Sequence, residues 1–156
     1  MPPSANPHPG AGAGLARLGA ALVLCLLGAG AARAAEPLAF AVTVLQVSDQ
    51  PGPVDPSPRA QRLHALLSPK IRYESLHVLA VRRLRVPLEG IGEVRLPTGQ
   101  TFRFRPIDAS GSGVLVAVDL KGTMQGDFRI PPGKPLVLGG PPHEGGQLVV
   151  VLEREP

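Results

Sequence analysis

Residues 93–106, EVRLPTGQTFRFRP, alternate apolar and charged side chains on either side of a Pro-Thr-Gly break. That is the pattern of two half-buried strands joined by a tight turn. A two-residue loop at Thr98-Gly99 sets Arg95 opposite Phe102 and mixes the faces. A three-residue loop, Pro97-Thr98-Gly99, resolves the conflict, because Gly99 can take the left-handed conformation that ends such a turn. Val94, Leu96, Phe102 and Phe104 then share the buried face, and Glu93, Arg95, Arg103 and Arg105 share the other. Glu93 falls opposite Arg103, a surface pair worth about 0.2–1 kcal/mol.

The same punctuation recurs outward from this hairpin. From Leu38 onward, short apolar runs are cut by turn residues, which predicts an antiparallel β-sandwich or partly open barrel of seven or eight strands. Leu38–Val47 (LAFAVTVLQV) reads as the first strand. The loop 48–58 follows, and Pro51, Pro53, Pro56 and Pro58 deny it a place in the middle of a sheet, since each lacks an N–H. Ser57-Pro58 supplies an N-cap and a first-turn proline for one short helix over 58–67, with Ala60, Leu63, Leu66 and Leu67 on one face. About ten residues do not hold a helix alone in water, so this helix must dock on the sheet.

In RYESLHVLAVRRLRVPLE, residues 72–89, Leu76, Val78, Ala80, Leu84 and Val86 fall in one phase, which Arg82 breaks. A bulge or an edge position near Arg82-Arg83 would turn that charge to water. VLVAVDL (114–120) and LVVVLE (148–153) are apolar in both phases, so both are expected in sheet centres, covered on both faces. GDFRI and PLVL complete the strands.

Toward the N terminus, Arg17 precedes the apolar run Leu18–Gly30, which ends in the small-residue stretch AARAA. This predicts a secretory signal peptide over 1–34, cleaved after Ala34, and one β-rich domain over 35–156. The apolar run is shorter than the roughly 20 residues a membrane-spanning helix requires, so no stable span is expected after cleavage. The expected location is therefore beyond the inner membrane: periplasmic, associated with the outer envelope, or secreted. Cys25 lies inside the discarded segment, so the mature chain has no thiol and no disulfide. Loss of Arg17 and Arg33 takes sixteen basic residues to fourteen against twelve acidic ones. A surplus of two is less than a strong polyanion binder usually carries, and with few aromatics outside the core it argues against nucleic acid as a partner.

Specific chemistry is sparse. His64, His77 and His143 stand at no metal-ligand spacing, and His143-Glu144 lacks the second histidine of HExxH. SGSG at 110–113 is a turn between strands rather than a nucleophile elbow. Asp108, Asp119 and Asp127 read as turn or rim residues. No phosphate-binding or dinucleotide loop is present, and no cofactor is expected. The possible binding surface is a basic face of Arg82, Arg83 and Arg85 with Arg95, Arg103 and Arg105, which forms if their strands are neighbours. A second is the loop Pro141-Pro142-His143-Glu144, with His143-Glu144 at the tip of a glycine-flanked turn.

Over roughly Phe40 to Glu153, the runs VTVLQVSDQPGPVDPSPRAQRLHALL, RYESLHVL, LPTGQTFRFRPI and VLGGPPHEGGQLVVVLE resemble small exported bacterial proteins of unknown function. LVLGGPPHEGGQLVVVLE also resembles the strand–Gly-Gly–strand hairpins of outer-membrane secretins. These features lead to the expectation of an exported, non-catalytic β-sandwich acting by binding or structural association in the cell envelope. An envelope protein or an anionic surface ligand is its expected partner. The alternatives are an accessory subunit of an envelope secretion or pilus machine, and a small hydrolase or metal-dependent enzyme built from His64, His77 and His143.

Overall fold

The computed structural model describes residues 36–156. The expected signal peptide, with Cys25, lies outside the described residues. Eight strands form two four-stranded antiparallel sheets. One holds β1 (Leu38–Ser48), β2 (Ser75–Val86), β7 (Leu136–His143) and β8 (Gly146–Arg154) in the order β2-β1-β8-β7. The other holds β3 (Gly92–Arg95), β4 (Thr101–Ser110), β5 (Gly113–Leu120) and β6 (Met124–Ile130) in sequence order. Every hydrogen-bonded pair except β1–β8 joins strands adjacent in the chain, so the sandwich is a meander closed by its own first and last strands. The chain changes sheet twice, through Pro87–Ile91 and through Pro131–Pro135.

The hairpin at 93–106 forms in the register its alternation demands. Glu93 pairs with Arg103 and Val94 with Phe102. The Leu96 N–H donates to the Gln100 carbonyl at 2.8 Å, and Gly99 has φ +86, so Pro97-Thr98-Gly99 is the loop. Phe102 and Phe104 enter the space between the sheets, where Phe104 meets Phe40 edge-on with ring centroids 5.0 Å apart. Val42, Val44, Val114, Val116, Leu148, Val150 and Leu152 fill the same core. Each such side chain contributes about 1.5–3 kcal/mol by leaving water.

A second core lies beneath the helix α1 (Pro58–Leu67) on the outer face of β2-β1-β8. Ala60, Leu63 and Leu67 pack there against Leu45, Val47, Leu76, Val149 and Val151. The Ser57 hydroxyl caps the helix by accepting from the Ala60 N–H at 3.3 Å. β1 and β8 are thus covered on both faces. β5 is interior to its sheet, but only its inner face is buried; Leu115, Ala117 and Asp119 are half-exposed. Double coverage was expected there, and it fails because α1 sits on the opposite sheet.

β2 also departs from expectation. Its bulge is at Leu79, not at Arg82-Arg83: Val44 pairs with Ala80 and Leu45 with Val78, leaving Leu79 unmatched. The extra residue flips the strand, so Ala80, Leu84 and Val86 face the inter-sheet core while Leu76 and Val78 face the helix. Arg82 stays on the inner face and reaches water because β2 is an edge strand. The proline-rich loop runs along the lower part of that edge, where Val54 makes a single parallel bridge to Leu76.

Candidate functional site

The two arginine groups are carried on different sheets. Arg83 and Arg85, paired with Ala41 and Ala39, point from the outer face of the helix-bearing sheet. Arg82 lies on the inner side of the edge and donates to the Val81 carbonyl at 3.3 Å. Arg95, Arg103 and Arg105 belong to the outer face of the other sheet. The expected joint basic face therefore does not form, because Pro87–Ile91 carries the chain from one sheet to the other rather than to a neighbour in the same sheet. Carboxylates also stand close to several of these guanidiniums. Arg103 meets Glu93 at 2.8 Å, Arg105 meets Glu89 at 3.6 Å, and Arg83 meets Glu155 at 3.1 Å.

Pro141 and Pro142 sit near the end of β7, an edge strand whose register slips between Gly139 and Pro142. His143 is still paired, with Gly146, so the tip of the turn is Glu144-Gly145, one residue beyond the expected His143-Glu144. Their φ values, 43° and 77°, suit a type I′ hairpin turn, which requires left-handed backbone at both positions. Side chains of β1 hold this turn from the side. Gln46 Nε2 donates to the His143 carbonyl at 3.0 Å, and Ser48 Oγ donates to the Gly145 carbonyl at 3.1 Å. Gly146 lies so close to the Val47 carbonyl that any Cβ would collide with it. At 3.7 Å, His143 Nε2 and Glu144 Oε2 are too far apart for a hydrogen bond.

The other histidines have structural surroundings. His64 Nδ1 and the Tyr73 hydroxyl are 2.8 Å apart, tying the helix to the segment that leaves it. His77, on β2, is paired with Gln46 of β1. Among the described residues, no three His, Cys, Asp or Glu side chains are grouped to hold a metal ion. Ser110 and Ser112 share a hydrogen bond at 2.8 Å, and Arg129 donates to both hydroxyls. That set has an arginine where a nucleophilic serine needs a base.

A cleft of about 380 Å³ lies on the outer face of β4-β5-β6. Strand register builds it. Arg103, Asp119 and Gln125 form one row across the sheet, and Arg105, Ala117 and Asp127 form the next. Ala117 is the floor, because a methyl group between two long charged side chains leaves a depression. Ile91, 63% exposed, forms an apolar rim. Sequence reading found the two arginines but assigned Asp119 and Asp127 to turns or rims, and passed over Ala117 and Ile91. The signal was the outward phase of β5, where Ala117 and Asp119 alternate with buried valines.

The fold and this face define a small β-rich protein, a two-sheet sandwich with one sheet covered by a helix and a charged cleft on the other. No family model, curated protein or solved structure matches the chain.

Proposed function

We propose that this chain is an exported, non-catalytic protein of the bacterial cell envelope, and that it holds a protein partner on the outer face of β3-β4-β5-β6. The observation that carries the reading is the cleft floored by Ala117. It offers guanidinium groups from Arg103 and Arg105, carboxylates from Asp119 and Asp127, and an apolar rim at Ile91 within one surface. A polypeptide segment presents all three complements. A purely anionic ligand matches it less well, because Asp119 and Asp127 would repel what Arg103 and Arg105 attract, and both arginines already have acidic neighbours. The signal-like N-terminal segment supports export.

A photo-crosslinking amino acid placed at Ala117 in living cells tests this reading, with Lys134 as the control position. The expected result is a defined envelope-protein adduct from position 117, none from 134, and loss of the adduct on Arg105→Glu. The reading is overturned if position 117 gives no adduct, or if the chain stays in the cytosolic fraction.

A further inference from the structure

A sandwich has four strand edges, and three of these carry a device that discourages pairing. The lower part of β2 is covered by the proline-rich loop, whose Asp55 N–H donates to the Leu76 carbonyl at 2.8 Å; its upper part carries Arg82, Arg83 and Arg85. β3 is only four residues long. β7 contains Pro141 and Pro142, which have no N–H to offer, and a register slip. Among the described residues, β6 has no proline, no covering loop and no bulge, and its two charges, Asp127 and Arg129, are of opposite sign. It reads MQGDFRI, pairs with β5 residue for residue without a bulge, and among the described residues makes no backbone hydrogen bond beyond β5.

We infer that β6 is a self-association edge, pairing antiparallel with β6 of a second copy so that two four-stranded sheets become one of eight strands. Charge chooses the occupant and the register. Gln125, Asp127 and Arg129 lie on the outer face, and Gly126, Phe128 and Ile130 on the inner one. With the twofold axis at Phe128, Asp127 of each copy stands opposite Arg129 of the other, twice; within its own copy Arg129 meets Asp108 at 3.5 Å and the Ser110 and Ser112 hydroxyls, so the dimer pair adds to a guanidinium already partly engaged. Shifting the axis to Asp127 opposes two aspartates, and shifting it to Arg129 opposes two arginines, so both neighbouring registers are repulsive.

The inner face fits the same alignment. Phe128 is only half-buried in the monomer, with its ring lying over Gly126, where an added Cβ would come within 3.3 Å of it. In the dimer the two Phe128 rings meet at the axis, and Gly126 is faced by Ile130 of the second copy. This inference rests on the strand edge rather than on the cleft, although Asp127 belongs to both and the geometry brings the two clefts together across the axis.

Analytical ultracentrifugation of the full chain, purified as the cell leaves it, tests the proposal with Asp127→Arg and Arg129→Asp. Both side chains are exposed, so neither change disturbs the core, although Arg129→Asp also gives up the bonds to the Ser110 and Ser112 hydroxyls and sets a carboxylate beside Asp108. The wild type is expected to dimerise with rising concentration, and each variant alone to remain monomeric. An equimolar mixture of the two variants is expected to dimerise, because the new arginine of one copy then meets the new aspartate of the other. A wild type that stays monomeric, a dimer that both variants retain, or a mixture that stays monomeric overturns the proposal. If a variant fails to fold, amide exchange on the wild type decides: protection at residues 124–130 that rises with concentration supports the edge, and unchanged protection overturns it.

Discussion

Arg59, on the helix, donates to the Thr43 hydroxyl at 3.0 Å, and Thr43 is completely buried in β1. The same guanidinium reaches Glu153 of β8 at 3.2 Å, so one side chain ties the helix to two strands beneath it. Arg62 also meets Glu153, at 2.9 Å, but from solvent: its side chain is 60% exposed against 23% for Arg59. Truncation of Arg62 to Ala is therefore expected to cost no more than about 0.5 kcal/mol. Glu153→Ala leaves Arg59 without its carboxylate and is expected to cost about 1–3 kcal/mol. Urea unfolding measures both, and equal losses would contradict the assignment.

Asp55 fastens the proline-rich loop. Its carboxylate accepts foremost from the Ser57 N–H at 2.8 Å and also from the Val78 N–H at 3.3 Å, and these bonds hold its pKa below the ordinary 3.8. A carboxyl depressed in the folded state adds stability that is present above the unfolded value and lost as pH falls through the folded one. Asp55→Asn is thus expected to be less stable than wild type at neutral pH, with the difference shrinking as pH drops below 3.8. Denaturant unfolding at a series of acidic pH values reads this directly, and a gap independent of pH would exclude the mechanism.

Two glycines with positive φ separate strain from space. Gly99, at φ +86, has nothing near its missing Cβ, whereas a Cβ at Gly113, at φ +119, would collide with the Ile130 carbonyl. Gly99→Ala is expected to cost about 1–2 kcal/mol from backbone conformation alone. Gly113→Ala adds a collision at the β5–β6 pair and is expected to lower the melting temperature several times as much.

Glu144 is the reverse case, a non-glycine residue at φ 43 in a type I′ turn. Glu144→Asn supplies the residue such a turn favours before glycine, and is expected to stabilise the domain by about 0.5–1 kcal/mol. Thermal unfolding of the single variant tests it.

Deletion of Leu79 removes the bulge. Val78 and Ala80 then stand as consecutive residues opposite Leu45 and Val44, so Leu76 and Val78 keep the helix side while Ala80, Leu84 and Val86 keep the inter-sheet core. Because no buried position is emptied and Leu79 itself is exposed, the deletion variant is expected to fold, at a cost of about 0.5–3 kcal/mol, whereas Leu76→Ala, which opens a cavity beneath the helix, is expected to cost about 2–5 kcal/mol. Circular dichroism of the deletion variant checks this.

The bulge also marks where the sequence stops being legible. Period-two alternation identified the Glu93–Pro106 hairpin down to its cross-strand partners, because Gly99 and the alternating charges admit one register. Ser57-Pro58 located the helix for a similarly local reason. Leu76, Val78, Ala80, Leu84 and Val86 look like a single stripe, yet they serve two cores, because an inserted residue changes which face a given parity means. The pairing of β2 with β1 rather than with the arginine-bearing hairpin was not written in either strand alone. Asp119 and Asp127 likewise gained a shared surface only when β4, β5 and β6 were aligned side by side.

Closure of the meander through β1 and β8 has a mechanical meaning. Phe40 is paired with Arg154, so the first strand begins beside the place where the last one ends. Force applied between those two points loads the β1–β8 ladder like the flap of an envelope, opening its hydrogen bonds in succession rather than all at once. The domain should therefore yield at low tension in an optical trap, while cargo joined near Arg154 would sit at the same end as any tether leading into Leu38.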